Sequence, residues 1–201
     1  MFVVLPRTNR LIKAITPKTK AISWVNYAGI APDVEGLQNL ARDYDLILIE
    51  DNAHGLGGNF KGKPLGSFGD FATQSFHSSK NIQCGEGGAL VINNQKFIER
   101  AEIIREKGTD RSRFMRGEIQ KYQWVDHGSS YLLAESLAAI LLGQLEQIVE
   151  IQIRRDCIFD RYSQELCNWA AENNLELSFT RTLSNIKCNC YFLMGISFNR
   201  I

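Results

Sequence analysis

The sequence predicts an α/β fold built around a mostly parallel β-sheet. Short apolar stretches alternate with amphipathic ones, which is the strand–helix–strand order of such folds. Residues 46–49 (Leu-Ile-Leu-Ile) are apolar without interruption, as expected for a parallel strand that is buried on both faces. Glycine-rich stretches follow the apolar runs, and ligands of open α/β sheets bind where the loops leave the carboxyl ends of the strands.

Local patterns predict the elements in chain order. Asp33 is the expected N-cap of a helix, because apolar residues recur after it at helical spacing. The predicted strands are 21–26, 46–49, 71–76, 89–92, 175–179 and 190–198. The remaining predicted elements are a helix over about 96–107, a long loop over 108–131, and a helical stretch over 132–173 that bends near 147–150.

Composition and charge restrict the class of protein. The chain has 201 residues, of which 44 % are hydrophobic and 22 % are charged, so it is large enough to form a core. Its 23 basic and 22 acidic residues leave a net charge of +1, which gives no basis for a nucleic-acid partner or an anionic membrane surface. We expect no membrane span, since no run of 18 apolar residues is present, and no signal peptide. Five irregularly spaced cysteines favour a reducing, cytoplasmic environment.

Two motifs resemble ligand sites but lack necessary parts. Residues 57–63 have the G-x-x-x-x-G-K spacing of a phosphate-binding loop, but Pro64 stands where a Ser or Thr hydroxyl is needed, so we interpret them as a surface turn. Cys188 and Cys190 have a metal-ligand spacing, but the three histidines lie far away in sequence. We therefore expect no metal site.

Residues 50–54 (Glu-Asp-Asn-Ala-His) are more informative, because they directly follow the strand 46–49. Alone, they could be solvated loop residues. Ser75 and Lys80 follow the next strand, so they are expected at the same edge of the sheet. A lysine amine can bond covalently to an aldehyde, a carboxylate such as that of Asp51 can pair with a pyridine nitrogen, and a hydroxyl can bind phosphate. Together these groups fit a pyridoxal phosphate (PLP) site.

The motifs Asp51-x-Ala53-His54, Ser75-Phe-His-x-x-Lys80 and 85–88 (Gly-Glu-Gly-Gly) resemble the DegT/DnrJ/StrS family of sugar aminotransferases. These are PLP enzymes of fold type I, and the likeness covers roughly residues 2–175. The resemblance implies that the fold is a fold-type-I aminotransferase large domain, truncated at the N-terminus and in the small domain. The implied domains are a PLP-binding large domain over 1–148, and a connecting helix with the start of a small domain over 149–201.

The resemblance also implies roles for individual residues. Lys80 is the implied catalytic residue: it attaches covalently to PLP and then carries a proton between the amino donor and the cofactor. The implied cofactor contacts are Asp51 at the ring nitrogen, Ala53 under the ring, His54 near the phenolic oxygen, Ser75 at the phosphate, and Ser130, which would reach the phosphate of a neighbouring subunit. His77 is expected to be a loop or substrate-pocket residue rather than a base.

The implied reaction moves an amino group from an amino acid, expected to be glutamate, to C4 of a nucleotide-linked 4-keto-6-deoxyhexose such as dTDP-4-keto-6-deoxyglucose, in polysaccharide biosynthesis. The implied assembly is a homodimer. Two alternatives remain open: a sugar aminotransferase acting at C3, and a non-catalytic truncated paralogue or gene fragment. Because the family's first strands and its phosphate-binding Gly-Thr turn have no counterpart here, we expect little transaminase activity from this chain alone.

Overall fold

The computed structural model describes residues 11–178, 186–187 and 197–200. The first strands in chain order are β1 (Ala21–Val25), β2 (Ile47–Asp51), β3 (Asn59–Phe60), β4 (Lys63–Pro64), β5 (Phe71–Ser75) and β6 (Gly88–Ile92). The central sheet has the strand order β1-β2-β5-β6, in which β1, β2 and β5 are parallel and β6 is antiparallel to β5. The mostly parallel α/β sheet expected from the sequence is therefore confirmed.

The register of the sheet brings the carboxyl ends of three strands to one edge. Val25 pairs with Asp51, and Asp51 pairs with Thr73 on the next strand. Strand β6 runs back beside β5, so Gly88 lies opposite Ser75. This pair is antiparallel because the intervening segment contains no helix that could cross over the sheet and restart a parallel strand.

The helices are α1 (Val34–Asp43), α2 (Ile98–Arg105), α3 (Arg111–Met115), α4 (Glu135–Glu146) and α5 (Ile148–Glu172). Asp33 caps α1 as predicted, because its side chain accepts a hydrogen bond of 3.0 Å from the backbone N–H of Gly36. The apolar side of α1 packs on β1 and β2 in a core cluster formed by Trp24, Leu37, Ala41 and Leu48. One face of the sheet is thereby covered next to the strand ends.

The hairpin of β3 and β4 occupies the segment whose glycine spacing resembles a phosphate-binding loop. Lys61 and Gly62, at its tip, both have positive φ, of 51° and 80°. Two consecutive positive φ values are typical of the tight turn that joins antiparallel strands. The structure thus agrees with the interpretation of this segment as a surface turn.

The region after β6 departs from the sequence prediction in two respects. The predicted helix over 96–107 is a 3₁₀ turn (Gln95–Phe97) followed by α2, which ends at Arg105. The predicted loop over 108–131 contains the short helix α3 and is held by two antiparallel bridges, Glu106 with Ser130 and Thr109 with Trp124. The loop is therefore ordered by backbone pairing. Such pairing does not require a periodic pattern of hydrophobic residues, so the order was not visible in the sequence.

Helices α4 and α5 are bent by 64° at Gln147, inside the segment where the sequence predicts a bend. They pack on the buried residues Phe76, Ile82 and Cys84 through Leu137, Leu141, Ile148 and Ile151, and Leu133, just before α4, packs on the same residues. In the sequence, Ile140 and Leu145 lie on one apolar stripe at helical spacing with Leu133, Leu137, Leu141 and Ile148, but in the structure they are 52 % and 38 % exposed. Only part of that stripe covers the segment between β5 and β6.

Near the end of the chain, β7 (Leu175–Ser178), β8 (Ile186–Lys187) and β9 (Ser197–Arg200) form antiparallel pairs: β7 with β9, and β8 with β3. The predicted strand over 190–198 overlaps β9 only at its end. The rest of that predicted strand, which includes Cys190, lies outside the described residues, as does Cys188. Within the described part of the chain, no single helix is long and apolar enough to cross a membrane, although the bent pair of α4 and α5 passes the same test of length and composition when taken together.

Candidate active site

Asp51 is the last residue of β2, which continues two residues beyond the predicted strand end. Its backbone carbonyl accepts a hydrogen bond of 2.9 Å from the N–H of Asn26, at the end of β1. One carboxylate oxygen, Oδ1, accepts a bond of 3.1 Å from the N–H of Ala53. Strand pairing therefore places a half-buried carboxylate at the edge of the sheet where the sequence predicts a ligand site.

His54 lies in the turn that follows Asp51. Its Nδ1 accepts a hydrogen bond of 3.4 Å from the N–H of Ala28, and its ring meets Tyr27 edge to face with centroids 5.3 Å apart. The pKa of His54 is lowered, first by burial and then by the positive charge of Lys80, while the charge of Asp51 acts in the opposite direction. Burial and the charge of Lys80 thus favour the neutral ring, whose Nδ1 is the acceptor toward Ala28.

Strand pairing places Asp51, His54 and Lys80 at the same edge of the sheet. Asp51 ends β2 and pairs with Thr73 of β5, His54 follows Asp51, and Lys80 lies in the segment that follows β5. The carboxylate, the imidazole and the amine, which the sequence predicts for one site from two separate motifs, therefore leave the sheet at one edge, where both charges act on the pKa of His54.

Lys80 lies in the loop between β5 and β6, which we call the lysine loop (residues 76–87). Backbone hydrogen bonds close this loop across its base: the N–H of Phe76 donates to Gly87 at 2.8 Å, and the N–H of Ser78 donates to Gly85 at 2.8 Å. The φ of Gly85 is 93°, a conformation that side chains disfavour, so the turn needs a glycine there. Lys80 is thereby presented on a fixed loop rather than on a flexible one.

His77 joins the two arms of the lysine loop. Its Nδ1 accepts a hydrogen bond of 3.1 Å from the N–H of Ser79, and its Nε2 lies 3.5 Å from Glu86 Oε1. The carbonyl of His77 also accepts a bond of 2.9 Å from the N–H of Lys80. These contacts agree with the interpretation of His77 as a loop residue.

The two serines of the sequence prediction occupy different surroundings. Ser75 ends β5, is half-buried, and accepts one long hydrogen bond of 3.5 Å from the N–H of His77. Ser130 is exposed and pairs with Glu106 beyond α2. The structure therefore groups Asp51, Ala53 and His54 with the lysine loop and its preceding Ser75, whereas a role for Ser130 in a neighbouring subunit stays a prediction.

Three buried polar residues behind the site were given no role of their own in the sequence analysis. Glu50, Asn26 and Asn52 are each 0 % exposed. The oxygens of Glu50 accept hydrogen bonds from Asn26 Nδ2 at 2.8 Å and from the backbone N–H groups of Gly66, Phe68 and Gly69 at 2.6, 3.0 and 3.4 Å. All its partners donate, which matches an acceptor-only carboxylate.

The possibility that residues 50–54 form a solvated loop is therefore wrong for Glu50, which ties β2 to the turn that precedes β5. The signal for its burial was present in the sequence. Leu48 and Glu50 are two residues apart on one strand, so they face the same side of the sheet, and Leu48 belongs to the core.

The residues present fit PLP by their chemistry. Asp51 offers a carboxylate for a protonated ring nitrogen, Lys80 offers an amine for an aldehyde, and the hydroxyl of Ser75 is available to a phosphate at the same edge of the sheet. The backbone N–H groups of Ser78 and Lys80 are bonded inside the lysine loop, to the carbonyls of Gly85 and His77. In the described residues, no group of His, Cys, Asp and Glu side chains is arranged to hold a metal ion.

Comparisons with known proteins identify the family. The family model described as DegT/DnrJ/EryC1/StrS aminotransferase family matches residues 4–197. The uncharacterized protein MJ1066 of Methanocaldococcus jannaschii is 34 % identical over 189 residues, which cover 92 % of this chain and 47 % of that protein.

Solved structures give the same result. PseC of Helicobacter pylori, an aminotransferase involved in the biosynthesis of pseudoaminic acid, is similar with a TM-score of 0.78 and 26 % identity, over 92 % of this chain and 47 % of PseC. Spr1654 of Streptococcus pneumoniae, whose solved forms include a PLP form and a PMP form, is similar in the PMP form with a TM-score of 0.77 and 25 % identity, over 92 % and 51 % of the two chains.

The chain spans about half the length of the relatives that it matches. The fold is that of an aminotransferase, and PLP, the cofactor expected from Asp51 and Lys80, is the cofactor of the matched family. The match extends over nearly all of the chain, from residue 4 to residue 197. The chain therefore belongs to the DegT/DnrJ/EryC1/StrS aminotransferase family.

Proposed function

We propose that the protein containing this chain is a PLP-dependent transaminase that transfers an amino group from an amino acid to C4 of a nucleotide-linked 4-keto-6-deoxyhexose. The type of reaction is that of a dTDP-4-amino-4,6-dideoxygalactose transaminase, with glutamate as the donor. The observation that supports the proposal is the pairing of β2 with β5, which brings Asp51 and the lysine loop to the same edge of the sheet in a chain that belongs to an aminotransferase family.

Each residue then has a stated task. PLP, when bound, supplies a conjugated ring that accepts the electron pair released at the donor's Cα. Asp51 holds a proton on the ring nitrogen, His54 contacts the phenolic oxygen through its Nε2 proton, and Ala53 packs under the ring. Ser75 binds the phosphate. Lys80 Nζ is the group that takes a proton from Cα and returns it at C4′ of the cofactor.

The neutrality of His54 supports its task. A ring that is neutral and carries its proton on Nε2 can donate one hydrogen bond, but it does not add a full positive charge beside Lys80.

The test is a transaminase assay of the complete protein with glutamate and dTDP-4-keto-6-deoxyglucose, followed by NMR of the product. We expect nitrogen at C4, and no turnover in the Lys80→Ala variant. Nitrogen at C3 from a 3-keto substrate would replace the C4 proposal with the C3 alternative. An inactive wild-type protein that also fails to bind PLP would favour the non-catalytic alternative.

We also propose a homodimer in which loop 108–131 contributes to the interface. This loop carries exposed aromatic and sulfur-containing side chains, of which Met115 is 66 % and Trp124 is 78 % exposed. Such residues are enriched in the buried centres of protein interfaces. Light scattering of the complete protein should give twice the mass of one chain, and an active monomer would contradict the proposal. A cytoplasmic location stays a prediction from the thiol content.

A further inference from the structure

The carboxyl end of β2 has a buried amide behind it that contacts three consecutive residues. The side chain of Asn26 donates from Nδ2 to Glu50 Oε1 and to Asn52 Oδ1, both at 2.8 Å. The backbone N–H of the same residue donates to the carbonyl of Asp51 at 2.9 Å. Asn26 thus brackets Asp51 by holding the residue on each side of it.

The bracket determines which way Asp51 faces. Successive side chains of a strand point to opposite faces of the sheet. The side chains of Glu50 and Asn52 are held on the buried face and are 0 % exposed. The side chain between them must then point to the other face, where Asp51 is half-buried and close enough to affect His54.

The orientation of the Asn26 amide is itself fixed. Its Oδ1 accepts a hydrogen bond of 3.1 Å from Trp24 Nε1, and both hydrogens of its Nδ2 are used by Glu50 and Asn52. Every polar atom of this buried side chain is therefore satisfied in one orientation only. A fully satisfied polar network of this kind specifies a single arrangement rather than several.

We propose that Asn26 is a positioning residue for the transaminase, which aims the Asp51 carboxylate at the cofactor's ring nitrogen by pinning Glu50 and Asn52 on the opposite face of the sheet. Asn26 touches neither substrate nor cofactor in this role. The inference rests on the proposed function for its catalytic meaning, but the orientation of Asp51 is measurable without any cofactor.

The decisive variant is Asn26→Leu, which keeps the volume and removes both donors. The readout is the titration of His54 in the cofactor-free complete protein, measured by NMR of ¹³Cε1-labelled histidines and assigned with His54→Gln. The charged groups that act on His54 are Lys80 and Asp51. Since the carboxylate of Asp51 raises the pKa of His54, a displaced carboxylate lowers this pKa toward its value in Asp51→Asn.

The matched control is Trp24→Phe, which removes one hydrogen bond and some packing from the same network but leaves both bonds of the bracket. We expect this control to lose stability and to keep the wild-type titration of His54. The double variant Asn26→Leu with Asp51→Asn should show no shift beyond that of Asp51→Asn alone. If Asn26→Leu does not fold, the same measurements are made on Asn26→Ser, whose side chain is smaller.

In the cofactor-loaded protein, Asn26→Leu should lower kcat by about 10²-fold, the loss expected from misplacing a reacting group by about an ångström. Trp24→Phe should keep most of the rate. A wild-type titration of His54 in both Asn26 variants, or a shift to a higher pKa, overturns the proposal. If neither the wild-type protein nor any variant is active, but the pKa of His54 still shifts as expected, then Asn26 does position Asp51 and the transaminase proposal fails instead.

Discussion

Replacing Glu50 with leucine should destabilise the protein strongly, because the change leaves buried N–H donors without an acceptor. Two of the donors, the backbone N–H groups of Gly66 and Phe68, lie 2.6 and 3.0 Å from the carboxylate and belong to a turn that is fixed at both ends. A buried donor without a partner costs about 1–3 kcal/mol, so these two cost roughly 2–6 kcal/mol. The apolar surface of the leucine side chain offsets only about 1 kcal/mol of this cost, because the methylene groups of Glu50 are already buried in the wild-type protein. A net loss of about 1–5 kcal/mol remains.

The assay is urea unfolding of the complete protein followed by tryptophan fluorescence, to which Trp24 in the same network contributes. Glu50→Gln keeps one acceptor oxygen and should lose less than Glu50→Leu. Glu99→Leu is the control for the same substitution at a side chain that is 70 % exposed, and it should change the free energy of unfolding by no more than about 0.5 kcal/mol. Equal losses in Glu50→Leu and Glu99→Leu would refute the view that Glu50 is held by buried donors.

Three further outcomes are expected. Borohydride reduction of the PLP-loaded protein followed by peptide mapping should label Lys80, and labelling spread over surface lysines would contradict its role. The lowered pKa of His54 means that the unfolded chain binds its proton first, so stability should fall as the pH drops through the ordinary value of 6.5 and level off below the folded pKa. The His54→Gln variant should lack this decline in stability. If the stability of the variant and of the wild-type protein changed in parallel with pH, His54 would not be the cause. Gly55→Ala should cost several kcal/mol, because the added Cβ would overlap the amide oxygen of the buried asparagine beside it, whereas Gly143→Ala, which meets nothing within 4 Å, should stabilise α4 by about 0.5–1 kcal/mol. A thermal unfolding comparison measures both, and equal effects would refute the steric argument.

The sequence was informative wherever one physical rule dominated. Asp33 was identified as an N-cap because its side chain is chemically suited to the free N–H groups of a helix start. The apolar residues 46–49 predicted the strand β2, although Leu48 is buried and its neighbours Ile47 and Ile49 are only half-buried, so one face of the strand is less covered than expected. The bend at Gln147 fell where a single helix of about forty residues would be too long for a compact domain. The edge of the sheet that holds Asp51 followed from the order of the strands alone.

The parts that the sequence did not reveal depend on partners far away along the chain. The burial of Glu50 requires the turn at Gly66 and Phe68, which closes on it only after β2 and β5 have paired. The order within 108–131 comes from bridges such as Thr109 with Trp124, which have no local period. The exposure of Ile140 depends on how the bent helices lie on the lysine loop, and this angle is not encoded in the apolar stripe itself.

The end of β2 meets two requirements that conflict for a single side chain. A group that binds a cofactor must stay accessible, as the half-buried Asp51 does, whereas a group that holds the strand in place is strongest where water is excluded, as at Glu50. The two-residue period of a strand separates these requirements, because adjacent residues face opposite sides of the sheet. The paired acids of this motif are thus not interchangeable: one anchors the strand end through inward hydrogen bonds, and the other is available for chemistry because its neighbours are anchored. Exchanging the two acids in the double variant Glu50→Asp with Asp51→Glu should therefore impair both folding and cofactor binding, although the net charge and composition are unchanged.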